Sequence, residues 1–563
     1  MFEKLISRFH EKTTPDHPLA SDEGLNALMA GISQADPGRL LFDIDDSLAG
    51  MEATVAEIGP ALALRALARL DQFARPSALQ LLWRYLSVGQ REYMADSAWS
   101  ALDVHAGHLF RCYGSFLNAQ EEFKNEDDKL RMARCAARML RAWGLRKKLQ
   151  RFRYRTPGAD LWLEVHKLLQ VIGRAGLQQT RVVAYRNEEP TTPLAEYLIG
   201  LYLEFVPAGN MVPQQLEIAS RFLRSCGRLE LTPQAHALST ARIDLAGANG
   251  PQPIKSGDTG GDSIRYCSVS KLRGALMTFA AHLNKLDECP GWLVDVPASP
   301  EQIRGATVTL MAHWASAPPK RGKDRKGQNL ALKIVLGFAL ARRMIALAQF
   351  AREGRSFKYE GDDIDRLFDE SRFGSVDEPD PAATEAVEEV AAQEVGSPLE
   401  ILQKLELGGD LAQMERWLEV DESATGLGAV VPAILPRHRI GSLICFRSEE
   451  SIDWRMGLIR RIGRDAANRP RIGIETLAWP SLCALAKPVG EESIWTKLAD
   501  GGHGWSDAII VSGDGREVIL QAGSFVAGMD IDVRSEDGAS RVRMESLLDR
   551  GPDYDRIHFT RIS

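Results

Sequence analysis

Apolar positions recur at helical spacing through the first 235 or so residues. The segment 60–73 places Leu64, Leu67, Leu70 and Phe73 on one stripe, and Pro76 is expected to stop that helix. A second stripe over 161–172 carries Leu161, Val165, Leu168 and Ile172. Thr192 reads as an N-cap with Pro193 at the first helical position, opening a helix over 194–205. Pro213 opens another, and Gly227 after Cys226 is a natural C-cap. Helices joined by short polar turns predict an antiparallel helical array over 1–235. No 34-residue period with tetratricopeptide landmarks accompanies it. From 236 to 315 the texture mixes: strand-like alternation over 237–245, a Gly/Pro/Ser/Asp loop over 246–262, then a helix over 269–286. This segment is expected to be a mixed α/β connector.

Period-two alternation follows. Runs over 330–338, 415–420, 440–447, 454–462 and 471–477 predict a small antiparallel barrel, split into 316–341 and 411–490. Between its parts, 342–353 is helical, and 373–403 holds eight Asp or Glu and three Pro with no Lys or Arg. Such a composition buries too little apolar surface to offset its ordering entropy, so 342–410 is expected to be a helical and acidic insertion, partly disordered. Beyond 490, runs over 508–511, 517–521, 530–534 and 557–562 predict a C-terminal β-rich domain, 491–563. The fold class is therefore multidomain α+β.

Composition narrows the chemistry mainly by exclusion. Apolar residues make up 44% and charged residues 26% of the 563, and the formal charge is −7, so there is no global attraction to nucleic acid or acidic lipid. The first twelve residues, with Glu3, Lys4, Arg8 and Glu11, lack the apolar stretch of a signal peptide, and the apolar run 330–341 contains Lys333 and is too short for a span. The expectation is a cytoplasmic protein without a membrane span. Seven cysteines stand singly and the histidines form no ligand pair, so reduced thiols are expected and a metal site is not. There is no G-x-S-x-G, no P-loop and no acid/base pair at motif spacing, so an enzyme is not expected. The segment 141–155 packs Arg141, Arg146, Lys147, Lys148, Arg151, Arg153 and Arg155 around Trp143, Phe152 and Tyr154. Its readings are a nucleic-acid grip, a helix face balanced by nearby acids such as Glu121, Glu122 and Asp127, and a dock for the acidic insertion at 377–394.

Two short motifs carry the functional reading. Asp421-Glu422-Ser423-Ala424-Thr425-Gly426 reads D-x-S-x-x-G at the end of a predicted strand, and Arg321-Gly322-Lys323-Asp324-Arg325 is an R-x-x-x-R in a basic loop before another. By residue type alone, Asp, Ser and Gly also fit a capped β-turn. The motif order, with Trp454, Gly457, Gly473 and Glu475 on the later strands, resembles the PilZ family, bacterial barrels that bind cyclic di-GMP. About 95 residues separate the motifs here, more than the family's usual few tens, and an insertion after the first strand accounts for the excess.

The resemblance implies that Arg321 and Arg325 clamp the ligand, while Asp421, Ser423 and Gly426 form the floor on the barrel. A guanidinium forks onto phosphate, stacks on bases and donates to guanine O6 and N7. A carboxylate accepts from the guanine N1–H and N2–H. It also implies a receptor or effector of cyclic di-GMP, without another cofactor. That receptor passes binding to a protein partner through the helical half, in motility, pilus or biofilm regulation. The alternatives are a ligand-independent interaction scaffold and a nucleic-acid-binding regulator using 141–155.

Overall fold

The computed structural model describes residues 17–87, 92–118, 126–155, 158–227, 229–255, 260–283, 290–315, 326–353, 397–407, 413–465, 467–490, 505–511, 515–535 and 538–562. The chain divides into two compact units, Met1–Lys320 and Arg321–Ser563.

The first unit is built on helices α1 (Asp22–Gly31), α2 (Pro37–Ala49), α3 (Met51–Ile58), α4 (Pro60–Leu86), α5 (Glu92–Asn118), α6 (Glu126–Phe152), α7 (Ala159–Arg174), α8 (Pro193–Tyr202) and α9 (Pro213–Ser225). Thr192 Oγ1 accepts from the Ala195 N–H at 3.1 Å and caps α8. Pro76 does not stop α4, which runs on to Leu86. An interior proline costs a helix about 3 kcal/mol. Here Ser77, Ala78, Leu81, Leu82 and Leu86 beyond it are all buried, and their packing outweighs that cost. The segment expected to be a connector shares this unit's core. It forms a small sheet, order β2-β1-β3, of β1 (Ala241–Asp244), β2 (Gln252–Pro253) and β3 (Ile264–Cys267). Helices α10 (Ser270–Leu283) and α11 (Pro300–His313) follow. Ile243, Leu272, Leu276, Ile303 and Trp314 belong to the same apolar cluster as Leu67, Phe110 and Leu140.

The basic segment on α6 is turned into this unit. Lys147 Nζ reaches Glu204 at 2.7 Å and the Gly200 carbonyl at 2.7 Å. Lys148 pairs with Glu217, Arg151 with Glu204, Arg153 with Asp96, and Arg141 with both Glu188 and Glu196. The acids that balance it come from other helices and loops of the array. Glu121 and Glu122 lie outside the described residues. Burial alone would raise the Glu204 carboxyl, but Lys147 and Arg151 outweigh it and hold it down to about 2. Glu196, clasped by Arg224 and Arg141 against the same burial, is likewise lowered to about 2.

In the second unit β4 (Lys326–Leu336), β5 (Glu415–Ser423), β6 (Gly426–Val430), β7 (Leu443–Ser448), β8 (Arg455–Arg464) and β9 (Pro470–Thr476) close a barrel in the order β4-β5-β6-β9-β8-β7, every pair antiparallel. The first strand begins earlier than its apolar run suggested, at Lys326, and ends where Gly337 (φ +95°) turns the chain into helix α12 (Phe338–Arg352). A second closed barrel, order β10-β11-β12-β15-β14-β13, uses β10 (Ser481–Pro488), β11 (Ser506–Val511), β12 (Glu517–Gln521), β13 (Asp530–Ser535), β14 (Gly538–Arg550) and β15 (Tyr554–Arg561). Its first strand therefore lies inside the span, 411–490, expected for the first barrel.

Helix α12 is part of the core rather than a loose insertion. Ala341, Ile345, Leu347 and Phe350 share one apolar cluster with Leu443, Cys445, Met456 and Leu458 of the first barrel and Cys483, Ile509 and Ile519 of the second. Asp553 Oδ2 accepts from the Phe338 N–H at 2.6 Å, capping the helix from the second barrel, and Tyr554 Oη donates to the Gly441 carbonyl at 2.9 Å. The chain returns through α13 (Pro398–Leu407). Its Glu406 takes a bidentate contact from Arg447 (2.9 and 2.8 Å) and one from Lys333 (2.6 Å). The acidic segment between these helices lies outside the described residues.

Because Glu204 ionises at lower pH when folded than when unfolded, its contribution is present at neutral pH and is lost as pH falls below about 5 toward 2. Glu204→Gln is expected to destabilise the helical unit by about 3 kcal/mol at pH 7. The difference from wild type should shrink toward pH 3, as read by calorimetric unfolding of the full chain.

Candidate functional site

The two barrel faces are set by alternation and by two bulges. Leu443, Cys445, Met456 and Leu458 face α12, so their neighbours Ile444, Phe446 and Ile459 fill the barrel. On β5 the pairing slips between Glu419 and Asp421, where Val420 is the extra residue. Glu419 pairs with buried Ala429 and Glu422 with buried Leu427, so both carboxyls point inward although they are three apart. Asp421 and Ser423 then point outward. On β8 the slip between Ile459 and Arg461 makes Arg460 the extra residue.

The start of β4 lies directly beside the D-x-S-x-x-G segment. Lys326 is the Cα partner of Glu422, and Gly327 of Asp421. Arg321 and Arg325 lie outside the described residues. Arg325 is bonded to Lys326, and five residues of chain reach at most roughly 18 Å, which bounds the distance from Lys326 to Arg321.

Each floor residue has a local role as well. Arg471 of β9 makes an ion pair with Asp421, its side chain crossing β6 to do so. That crossing is open because Gly428 of β6 and Gly473 of β9, in register with Asp421, carry no side chains. Ser423 Oγ donates to the Gly426 carbonyl at 2.9 Å, closing the two-residue turn at Ala424 and Thr425. Gly426 is required for close approach and not for a left-handed φ: a Cβ there would stand 2.3 Å from the Ile474 carbonyl oxygen. The structure thus brings Asp421, Ser423 and Gly426 together on the outer face of one hairpin, with Lys326 and Gly327 alongside.

Several polar residues here escaped the sequence reading. Inside the barrel, Arg455 Nη1 meets Glu422 Oε1 at 3.0 Å, and Gln328 Nε2 donates to Glu422 Oε2 at 2.8 Å. Deeper in, Glu419 is 5% exposed and its Oε1 finds no hydrogen-bond partner among the described residues. Burial, with Glu422 nearby, pushes its carboxyl above the usual range, against the pull of Arg455. An E-x-x-E pair looks like a surface feature until the bulge turns both residues inward. Among the described residues no group of His, Cys, Asp and Glu is fit to hold a metal ion, and no helix is long and apolar enough to cross a membrane.

Comparison with known proteins bears on the first unit. Residues 23–234 match the family model described as "Cyclic-di-GMP receptor FimW, N-terminal domain". The helical half, whose sequence carried no functional motif, is thus similar to part of a cyclic di-GMP receptor. No curated protein and no solved structure matches the chain.

Glu419 has a folded pKa above its unfolded one, so its favourable contribution is complete below about pH 4.5 and is lost as pH rises through the folded value. Glu419→Gln should therefore stabilise the second unit at pH 7.5, by about 1 kcal/mol. The gain should vanish near pH 4, as measured by thermal unfolding across that range.

Proposed function

We propose that this protein is a cyclic di-GMP receptor that holds its ligand on the outer face of the first barrel and passes the event to a protein partner. The observation that carries the reading is the pairing of Gly327 with Asp421. It sets the strand that follows R-x-x-x-R beside the strand that ends in D-x-S-x-x-G, despite the long insertion. The similarity of residues 23–234 to a cyclic di-GMP receptor's N-terminal domain supports the same ligand from an independent part of the chain.

Cyclic di-GMP carries two phosphates and two guanines. Arg321 and Arg325 would supply the charge-assisted forks for phosphate and the flat faces for stacking. Asp421 would accept from a guanine edge. Its partner Arg471 neutralises a carboxylate that would otherwise repel the dianion. Ser423 and Gly426 hold the hairpin that presents Asp421. A ligand held by both motifs would bridge Arg321 and Arg325 to the barrel, and a partner recognising that bridged state would read it. The role is binding, not catalysis. The compartment this reading assigns is the cytoplasm, and the process is motility, pilus or biofilm regulation.

The nucleic-acid reading of 141–155 has lost its basis, since its cations face the array's own carboxylates. The ligand-independent scaffold remains the competing class. Calorimetric titration of cyclic di-GMP into the full chain separates the two. Micromolar or tighter binding, weakened at least about tenfold in each of Arg321→Ala, Arg325→Ala and Asp421→Ala, is expected. A flat wild-type trace would favour the scaffold.

A further inference from the structure

We infer that Arg461 is a further ligand-contacting residue of this site, engaging a phosphate of the cyclic dinucleotide whose guanine edge is read at Asp421. The inference rests on the receptor reading above. Its ground is the cross-strand register. Along one row of the barrel's outer face, Arg461 of β8 is paired with Gly473 of β9, Gly473 with Gly428 of β6, Gly428 with Asp421 of β5, and Asp421 with Gly327 of β4. Arg461 and Asp421 thus stand three strand spacings apart, roughly 14 Å between Cα atoms, with two glycines between them. A flat, charged ligand lying along that row, over Gly473 and the Arg471 side chain that crosses β6, meets an arginine at one side and a carboxylate at the other.

The bulge is what places Arg461 there. Strict alternation from buried Ile459 would turn Arg461 toward the interior. The extra residue Arg460 shifts the phase, so that Ile462 is buried and Arg461 faces out. A Cβ built on Gly473 would come within 3.3 Å of the Arg461 Cβ, which places the Arg461 side chain on that same outer face.

The two consecutive arginines are used differently. Arg460 is committed, donating to Glu475 at 2.6 Å and to Asp549 of the second barrel at 2.9 Å. Arg471 is committed to Asp421. Arg461 is exposed and forms no ion pair among the described residues. An exposed guanidinium without a carboxylate partner keeps its full fork for phosphate and holds no neighbour in place, so its removal leaves the barrel intact.

Titration of cyclic di-GMP at two or more salt concentrations into wild type, Arg461→Ala and Arg461→Lys tests this, with thermal unfolding as the control. The expected result is at least tenfold weaker binding for Arg461→Ala and a shallower dependence of affinity on salt, because one fewer phosphate contact is made. Arg461→Lys should fall between, keeping the charge and losing the fork, and all three should unfold alike. Arg461→Ala binding within twofold of wild type, with the same salt slope, overturns the assignment while leaving the receptor reading intact. A wild type that binds no cyclic di-GMP overturns the receptor reading, and Arg461 with it.

Discussion

The antiparallel pairing of β4 with β5 is the constraint on which the rest of the second unit depends. Main-chain hydrogen bonds join Lys326 and Gly327 to a strand encoded far downstream, and the chain between them leaves and returns through α12 and α13. Closing a long loop costs little more than closing a moderate one, because the entropy grows only with the logarithm of length. The stem offsets that cost locally. Glu406 on α13 is locked to Arg447 and Lys333 on the outer face of β7 and β4, and α12 buries its apolar residues against the same barrel. An insertion anchored in this way leaves the register of the split hairpin untouched.

The same helix makes the two barrels one body. Apolar residues from both barrels and from α12 form a single cluster, bounded by the Asp553 cap and by Arg460, which spans Glu475 and Asp549. Glu475 is the register partner of Gly426, so the edge of the candidate floor is tied directly to the second barrel. A ligand on the outer face of β5, β6 and β9 would press on a platform braced from behind, with little give in the strands themselves.

Much of this was legible from residue pattern. The Thr192–Pro193 helix start, the strands around Ile444, Leu458 and Ile472, and the hairpin at Ser423–Gly426 follow from spacing and turn chemistry. The residues that were not legible depend on partners remote in sequence. Pro76 inside a helix is held by packing that no local rule contains. Lys147 and Lys148 look like a solvated patch until Glu204 and Glu217 fold against them. Bulges at Val420 and Arg460 invert the inside and outside of every residue beyond them, which hid Glu422 and Arg461 from an alternation argument. The closure of the C-terminal strands into a second barrel required β10, whose sequence runs on from the first barrel without a break in texture.

The central claim is that two motifs distant in sequence act on one ligand at the first barrel. Hydrogen–deuterium exchange of the full chain with and without cyclic di-GMP addresses it most directly. Slowed exchange is predicted in peptides covering 321–330 and in those covering 419–428, saturating together as ligand is added. Protection confined to residues 23–234, with none in either barrel segment, would contradict the account.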